Sequence, residues 1–256
     1  MTNRDNIVNR VPHIILLYWI IKIASTTLGE TGADMFSMTF NLGYGVTIVI
    51  FTILFLIALL VKLALKRYDS ISYWVLFTMT AIVGTAISDY IDRTLQLGYA
   101  MGSGILVALL LIVLGVWYKT EKSINVEKIT TARAELFYWL AFLVANTLGT
   151  AAGDYLSDNL GMGFLLSAAI IAVVLGITAL FHFYTKVSAV LLFWIAFVLT
   201  RPFGATFGDL LTKTHDKGGL DIGTIGSSLF FGVVLIYALF REIQVEKNKK
   251  VNELAL

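Results

Sequence analysis

Trp19-Ile20-Ile21-Lys22-Ile23-Ala24-Ser25-Thr26-Thr27-Leu28-Gly29-Glu30-Thr31-Gly32-Ala33-Asp34 decides the fold, because the chain returns to its spacing three more times. The later copies carry Trp74, Gly84 and Asp89; Trp139, Gly149 and Asp154; and Trp194, Gly204 and Asp209. In each copy Gly follows Trp by ten positions and Asp follows Gly by five. A pattern kept four times inside apolar runs is an internal repeat, and an internal repeat fixes the architecture.

On an α-helix each residue advances about 100°, so positions 7, 11 and 15 after Trp fall at about −20°, +20° and +60°. Trp19, Thr26, Glu30 and Asp34 therefore share one narrow face, as do Trp139, Asn146, Thr150 and Asp154. Trp74, Thr85 and Asp89 form the second such face, and Trp194, Arg201 and Asp209 the fourth. The glycine beside each face lets a neighbouring helix come close. Four acidic stripes are expected to converge on one polar site; the plainer expectation is four packing seams whose Asp residues cap helix ends.

The 256 residues are 58% hydrophobic and only 14% charged, against about 25% charged in soluble domains. Apolar runs of about 20 residues recur along the chain, which is the signature of membrane helices. The expected fold is all-α and polytopic, with spans at 13–36, 43–65, 71–91, 98–118, 134–156, 161–185, 188–211 and 222–240. Each repeat is then two helices, and the four repeats occupy 13–65, 71–118, 134–185 and 188–240. Glycine-bearing turns open the second helix of each, at Leu42-Gly43-Tyr44-Gly45, Leu97-Gly98-Tyr99-Ala100, Leu160-Gly161-Met162-Gly163 and Leu220-Asp221-Ile222-Gly223. Residues 1–12 and 241–256 form polar ends, and no cleavable signal peptide is expected, because the first apolar run is too long for one.

With both termini on one side, that side carries Arg4, Arg10, Lys62, Lys66, Arg67, Lys119, Lys122, Lys128, Arg133, Lys186, Arg241, Lys247, Lys249 and Lys250. The opposite side has Arg93, Lys213 and Lys217, while Lys22 and Arg201 lie within spans. The positive-inside rule then puts both termini in the cytoplasm. An even number of spans per repeat keeps the copies parallel, unlike an inverted repeat. The charged linker 119–133 is expected to divide the chain into pseudo-twofold halves, and the short connections leave no room for a soluble domain.

Four tandem two-helix repeats, each with a characteristic Trp, resemble a bacterial integral-membrane family built from a repeat of unknown function. The opening Tyr18-Trp19-Ile20-Ile21-Lys22, running into Thr26-Thr27-Leu28-Gly29-Glu30-Thr31-Gly32-Ala33-Asp34, carries the resemblance most closely, over about residues 13–240 in all. It implies a multi-pass protein of a bacterial inner membrane and assigns no chemistry.

Chemistry has to come from the charges, because a charge inside a membrane costs about 2.5–3.5 kcal/mol on insertion scales. The acids are Glu30, Asp34, Asp89, Asp154 and Asp209, and the bases within spans are Lys22 and Arg201. Glu30 and Arg201 occur once each, where the other repeats have Thr85, Thr150 and Ala205, or Thr26, Ala81 and Asn146. Thr26, Thr27, Thr31, Asn146 and Thr150 would add neutral oxygens. An oxygen-only, acid-rich set suits a hard cation such as Mn²⁺ or Mg²⁺, or protons. Arg201 would either pair with an acid or displace the cation, and Pro202 would kink the seventh span.

A transporter for such a cation, as an exporter or proton-coupled exchanger, is the leading expectation. Glu30 and Asp34, one turn apart, would share a proton that an entering cation expels. The alternatives are a channel with an Asp ring and a non-transport sensor or scaffold. The absence of Cys excludes thiolate chemistry; no catalytic Ser pair, zinc motif or phosphate loop suggests an enzyme. His13, His182 and His215 lack ligand spacing, and the Trp series is expected to pack or to sit at the interface. No resident cofactor and no nucleic-acid partner is expected; the partners are lipid and the cation, with a homo-oligomer left open.

Overall fold

The computed structural model describes residues 9–12, 14–126 and 129–254, with side chains as far as Asn248. Expectations for residues 1–8, His13, Lys128, the side chains of Lys249 and Lys250, and the last two residues fall outside the described residues. Eight long helices account for nearly all the rest: α1 (Leu16–Asp34), α2 (Gly43–Leu65), α3 (Ser70–Asp89), α4 (Tyr99–Glu121), α5 (Ala132–Asp154), α6 (Gly163–Tyr184), α7 (Ala189–Thr212) and α8 (Thr224–Leu254). No strand occurs among the described residues. α2 to α8 are each long and apolar enough to cross a membrane, so the chain is a multi-pass membrane protein. α2, with 23 residues, is about 34 Å long, which matches a hydrocarbon core of about 30 Å.

α1 is the exception in hydropathy, since Lys22, Glu30 and Asp34 interrupt it, and its place in the bundle accounts for this. α1 packs on α3 and on α7, α3 packs on α5, and α5 packs on α7, so the four odd-numbered helices close a ring. The even-numbered helices lie outside it, each against the first helix of the following repeat: α2 on α3, α4 on α5, α6 on α7, and α8 back on α1. Burial follows this division: 72% of the membrane window of α3 is buried against 17% of that of α2. The outer helices turn Leu60, Leu111, Val173, Val233 and Ile236 outward, as a lipid-facing surface requires. The two halves joined by the 119–133 linker are contained in a ring with fourfold connectivity, and α4 packs on α5 directly across that linker.

The repeated glycines are the seams of the ring. Gly29 nests against Ala81, Gly84 against Asn146 and Thr147, Gly149 against Arg201 and Pro202, and Gly204 against Thr26. A Cβ on Gly84 would lie 2.9 Å from the Thr147 amide nitrogen, and one on Gly204 would lie 2.6 Å from Thr26 Oγ1. Small residues at these contacts let helices approach where lipid supplies no hydrophobic drive.

Helix ends follow local chemistry. Asp69 caps α3 by accepting from the Ser72 amide at 2.9 Å, and Thr131 caps α5 through Ala134 at 3.0 Å. After its aspartate, each of the first three ring helices widens into one π-helical turn, Met35–Thr39, Tyr90–Thr94 and Tyr155–Asn159. Each outer helix is then preceded by a pair of left-handed residues two positions apart, Asn41 and Gly43, Gln96 and Gly98, Gly161 and Gly163, Asp221 and Gly223, and the fourth connection adds Gly218. The third and fourth repeats thus align on Gly163 and Gly223, not on the Leu-Gly or Leu-Asp pair that sequence similarity suggests. The fourth repeat also departs in length, with twelve positions from Asp209 to Asp221 against seven from Asp34 to Asn41. Its extra residues form the short turn His215–Lys217 in place of a π turn. α7 runs without a break through Pro202.

Candidate functional site

Counting each ring helix from its Trp, the inward register is −1, 3, 7, 11, 15 and 19, one step of four residues at a time. A step of four turns a helix by about 40° beyond a full circle, so these side chains stack in storeys down the axis. Trp is one residue off this line. Trp74 and Trp139 are each 1% exposed and pack inside the bundle; Trp74 Nε1 donates to Glu242 at 2.8 Å.

The first storeys are aromatic. Tyr18, Tyr73, Tyr138 and Phe193 line one end, with the Tyr73 and Tyr138 hydroxyls bonded to each other. Below them Phe77, Phe142 and Phe197 meet across the ring at centroid distances of 5.6, 3.9 and 6.4 Å. Lys22 holds the fourth place in that storey. Its ammonium lies 3.4 Å from the Phe197 ring centroid, donates to the Phe197 carbonyl at 2.7 Å and bonds Thr200. Lys22 has no carboxylate partner among the described residues.

Arg201 fills the next level. Its Nη1 donates to the Thr26 carbonyl at 3.0 Å; its Nη2 reaches Thr150 Oγ1 at 2.8 Å, the Ala81 carbonyl and Glu30 Oε2 at 3.3 Å, and the Thr85 hydroxyl. Glu30 Oε2 also accepts from Thr85 at 3.1 Å and from Thr150 at 3.3 Å. Arg201 and Glu30 are 1% and 3% exposed, so this network crosses the axis away from solvent. Asn146, level with Arg201, donates to Thr80 and ties α5 to α3. Thr27 is buried with its hydroxyl unpartnered, and Thr31 accepts from Ser228 of α8 at 2.9 Å, so neither joins the network.

The four aspartates form the following storey, each 1% or 2% exposed. Two cations from the storey beyond, where Met38, Arg93, Asp158 and Lys213 stand, divide them into pairs. Arg93 Nε lies 3.4 Å from Asp89 and its Nη2 3.7 Å from Asp154. Lys213 Nζ lies 2.6 Å from Asp34 and 3.0 Å from Asp209. Lys213 follows the last residue of its span; burial would lower its pKa, but Asp209 and Asp34 hold it above the ordinary lysine range.

Glu30, Asp34 and Asp209 form the tightest acidic group, with one oxygen from each within 4.8 Å of the others. Asp34 Oδ1 is buried without a hydrogen-bond partner. Asp89 and Asp154 stand apart from this trio, on Arg93. The five acids therefore share the interior of the ring with Arg201, Arg93 and Lys213, although hydropathy alone assigns Arg93 and Lys213 to the loops. Their signal was present, because both follow an aspartate by four positions and so continue the inward register.

A second charged cluster closes the tyrosine end. Glu135, fully buried, receives Arg10 at 2.7 Å and Lys62 at 3.0 Å. The Arg10 amide donates to Ile129 and the Tyr68 amide to Asn9, laying residues 9–12 over that end of the bundle.

A family model described as Repeat of Unknown Function (DUF347) matches residues 17–68, 72–123, 137–188 and 192–248. No curated protein and no solved structure matches the chain.

Proposed function

The chain belongs to the DUF347 repeat family, and we propose that it is a membrane carrier for a hard cation, with Glu30, Asp34 and Asp209 as the ion-binding carboxylates. The observation that carries this reading is the convergence of those three buried acids to within 4.8 Å inside the helix ring. Such a group without sulfur or imidazole suits an oxygen-preferring ion such as Mn²⁺ or Mg²⁺. Intramembrane ionisable residues also mark ion pathways as a class.

The filled axis favours a carrier over a channel. Lys22 sits among Phe77 and Phe197, and Arg201 spans from Thr26 to Thr150. An Asp ring open to permeation is disfavoured, since Arg93 and Lys213 bind its members in pairs. Protons and the cation would compete for the same oxygens, which supports proton-coupled exchange or export. In this reading the protein spans a bacterial inner membrane with its termini and the Arg10–Glu135–Lys62 cluster in the cytoplasm, as the basic-residue distribution favours. The aspartate storey then faces outward.

Flux into proteoliposomes, measured for a panel of cations with a trapped pH dye, tests the proposal. Movement of a hard divalent cation with opposite proton movement is expected. Equal rates with and without protein for every cation would refute it.

A further inference from the structure

Arg93 and Lys213 each bridge two aspartates, but not in the same way. Arg93 is a planar fork braced by the Tyr44 hydroxyl at 3.2 Å. Lys213 is a point charge on a flexible stem, and its two aspartates are the two that complete the acidic trio with Glu30. Two oxygens of that trio, Asp34 Oδ1 and Asp209 Oδ1, are buried without a hydrogen bond, and the second has only the ammonium beside it, at 3.0 Å. The segment that carries Lys213 is also unlike its three counterparts. It lacks the π turn, runs five positions longer between the ring aspartate and the left-handed pair that precedes the outer helix, and is tied back by Leu220, Asp221 and Ile222 amides to Leu210, Lys213 and Leu211 carbonyls.

We infer that Lys213 is a tethered counter-cation which the incoming ion must displace, and that this displacement selects divalent over monovalent ions. The inference rests on the cation-binding reading given above. With Arg201 and Lys213 in place, three carboxylates against two cations leave the trio one negative charge. A monovalent ion that displaces the ammonium restores the same charge and gains nothing over a competitor held at high effective concentration by its own backbone. A divalent ion brings the group to neutrality. Selection by valence then arises from the resident lysine, and the oxygen ligands need no size discrimination for it.

The test is Mn²⁺ binding to the purified full-length protein in nanodiscs, read from the spin-resonance signal of free Mn²⁺, with K⁺ as competitor and choline as the ionic-strength control. The wild type should bind Mn²⁺ and be affected by K⁺ no more than by choline. Lys213→Gln should bind Mn²⁺ at least about tenfold more tightly, because a competing charge is gone, and should become sensitive to K⁺. Lys213→Arg, which keeps the charge in a fork that holds both carboxylates, should bind Mn²⁺ more weakly than wild type. Folded Lys213→Gln with unchanged or weaker Mn²⁺ affinity would overturn the inference. If that variant does not fold, Lys213→Arg decides alone, and wild-type affinity there overturns it as well. Absence of Mn²⁺ binding in the wild type and in both variants refutes the cation-site reading and this inference with it, whereas Mn²⁺ binding that ignores Lys213 refutes only the latter.

Discussion

Glu30 and Arg201 are each the only charged residue at their level of the ring's inward register, and they are counter-ions to each other, Nη2 to Oε2 at 3.3 Å. The two departures from fourfold sameness are thus one feature. Breaking a buried ion pair by removing one partner costs about 3–5 kcal/mol, because the remaining charge stays in a low-dielectric interior.

Glu30→Gln and Arg201→Gln should therefore each destabilise the protein by an amount of that order, and the double variant should recover much of the loss. Thermal unfolding of the purified single and double variants measures this. Additive losses would mean that the pair is not coupled. Glu30→Gln is therefore a poor probe of proton coupling, because it also breaks the Arg201 contact.

The glycine seams make a second prediction. Gly84→Ala would place a methyl group 2.9 Å from the Thr147 amide nitrogen, and overpacking of this kind costs roughly 1–3 kcal/mol. Gly115→Ala and Gly176→Ala, on α4 and α6 with nothing within 4 Å of the new atom, should be neutral or slightly stabilising, since Ala favours helix over Gly by about 1 kcal/mol. Equal melting temperatures for all three variants would contradict the ring seams.

Membrane orientation is checked by cysteine labelling, which is clean because the chain has no native cysteine. Ser123→Cys, exposed between α4 and α5, should react only with reagent admitted to the cytoplasm. Asn159→Cys, exposed at the aspartate end, should react only from outside. Labelling of both from one side would contradict the parallel arrangement of repeats.

Glu135 holds two cations at the tyrosine end while fully buried. Glu135→Ala should cost about 3–5 kcal/mol, by the same uncompensated-charge argument, and should release residues 9–12. Faster protease cleavage near Arg10 in the variant is the expected readout, and unchanged cleavage would show that the segment is held in other ways.

Much of this fold is legible in the sequence because repetition and apolar length are one-dimensional signals. The Trp–Gly–Asp spacing marks the ring helices, and Gly84 or Gly204 marks a seam even without a partner in view. What sits opposite is not legible. The ring places the second helix of each repeat on the next repeat, a tertiary choice that hairpin spacing does not encode. Positions 7, 11 and 15 after Trp do line the ring, but Trp itself, the conspicuous side chain, stands one residue off that line, and Tyr73 and Tyr138 are the ones that meet between neighbouring ring helices. Hydropathy ends before Arg93 and Lys213 and so assigns them to loops, although their four-residue spacing from Asp89 and Asp209 places them on the acidic face. Thr31, on the other hand, looks like a site residue by adjacency to Glu30 yet faces Ser228.

The central claim is that the trio on the Lys213 side, not the aspartate ring as a whole, binds the transported ion. It is tested most directly by Mn²⁺ flux in proteoliposomes containing Asp34→Asn, Asp209→Asn, Asp89→Asn or the wild type, each reconstituted at equal density and checked for folding. Loss of a second-sphere partner at a metal site costs about 10–100-fold, so loss of a direct ligand should lower flux at least as much. Asp34→Asn and Asp209→Asn should show that loss, whereas Asp89→Asn should retain most of the wild-type rate and lose stability through Arg93. Equal loss at all three positions, or none at any, would contradict the account.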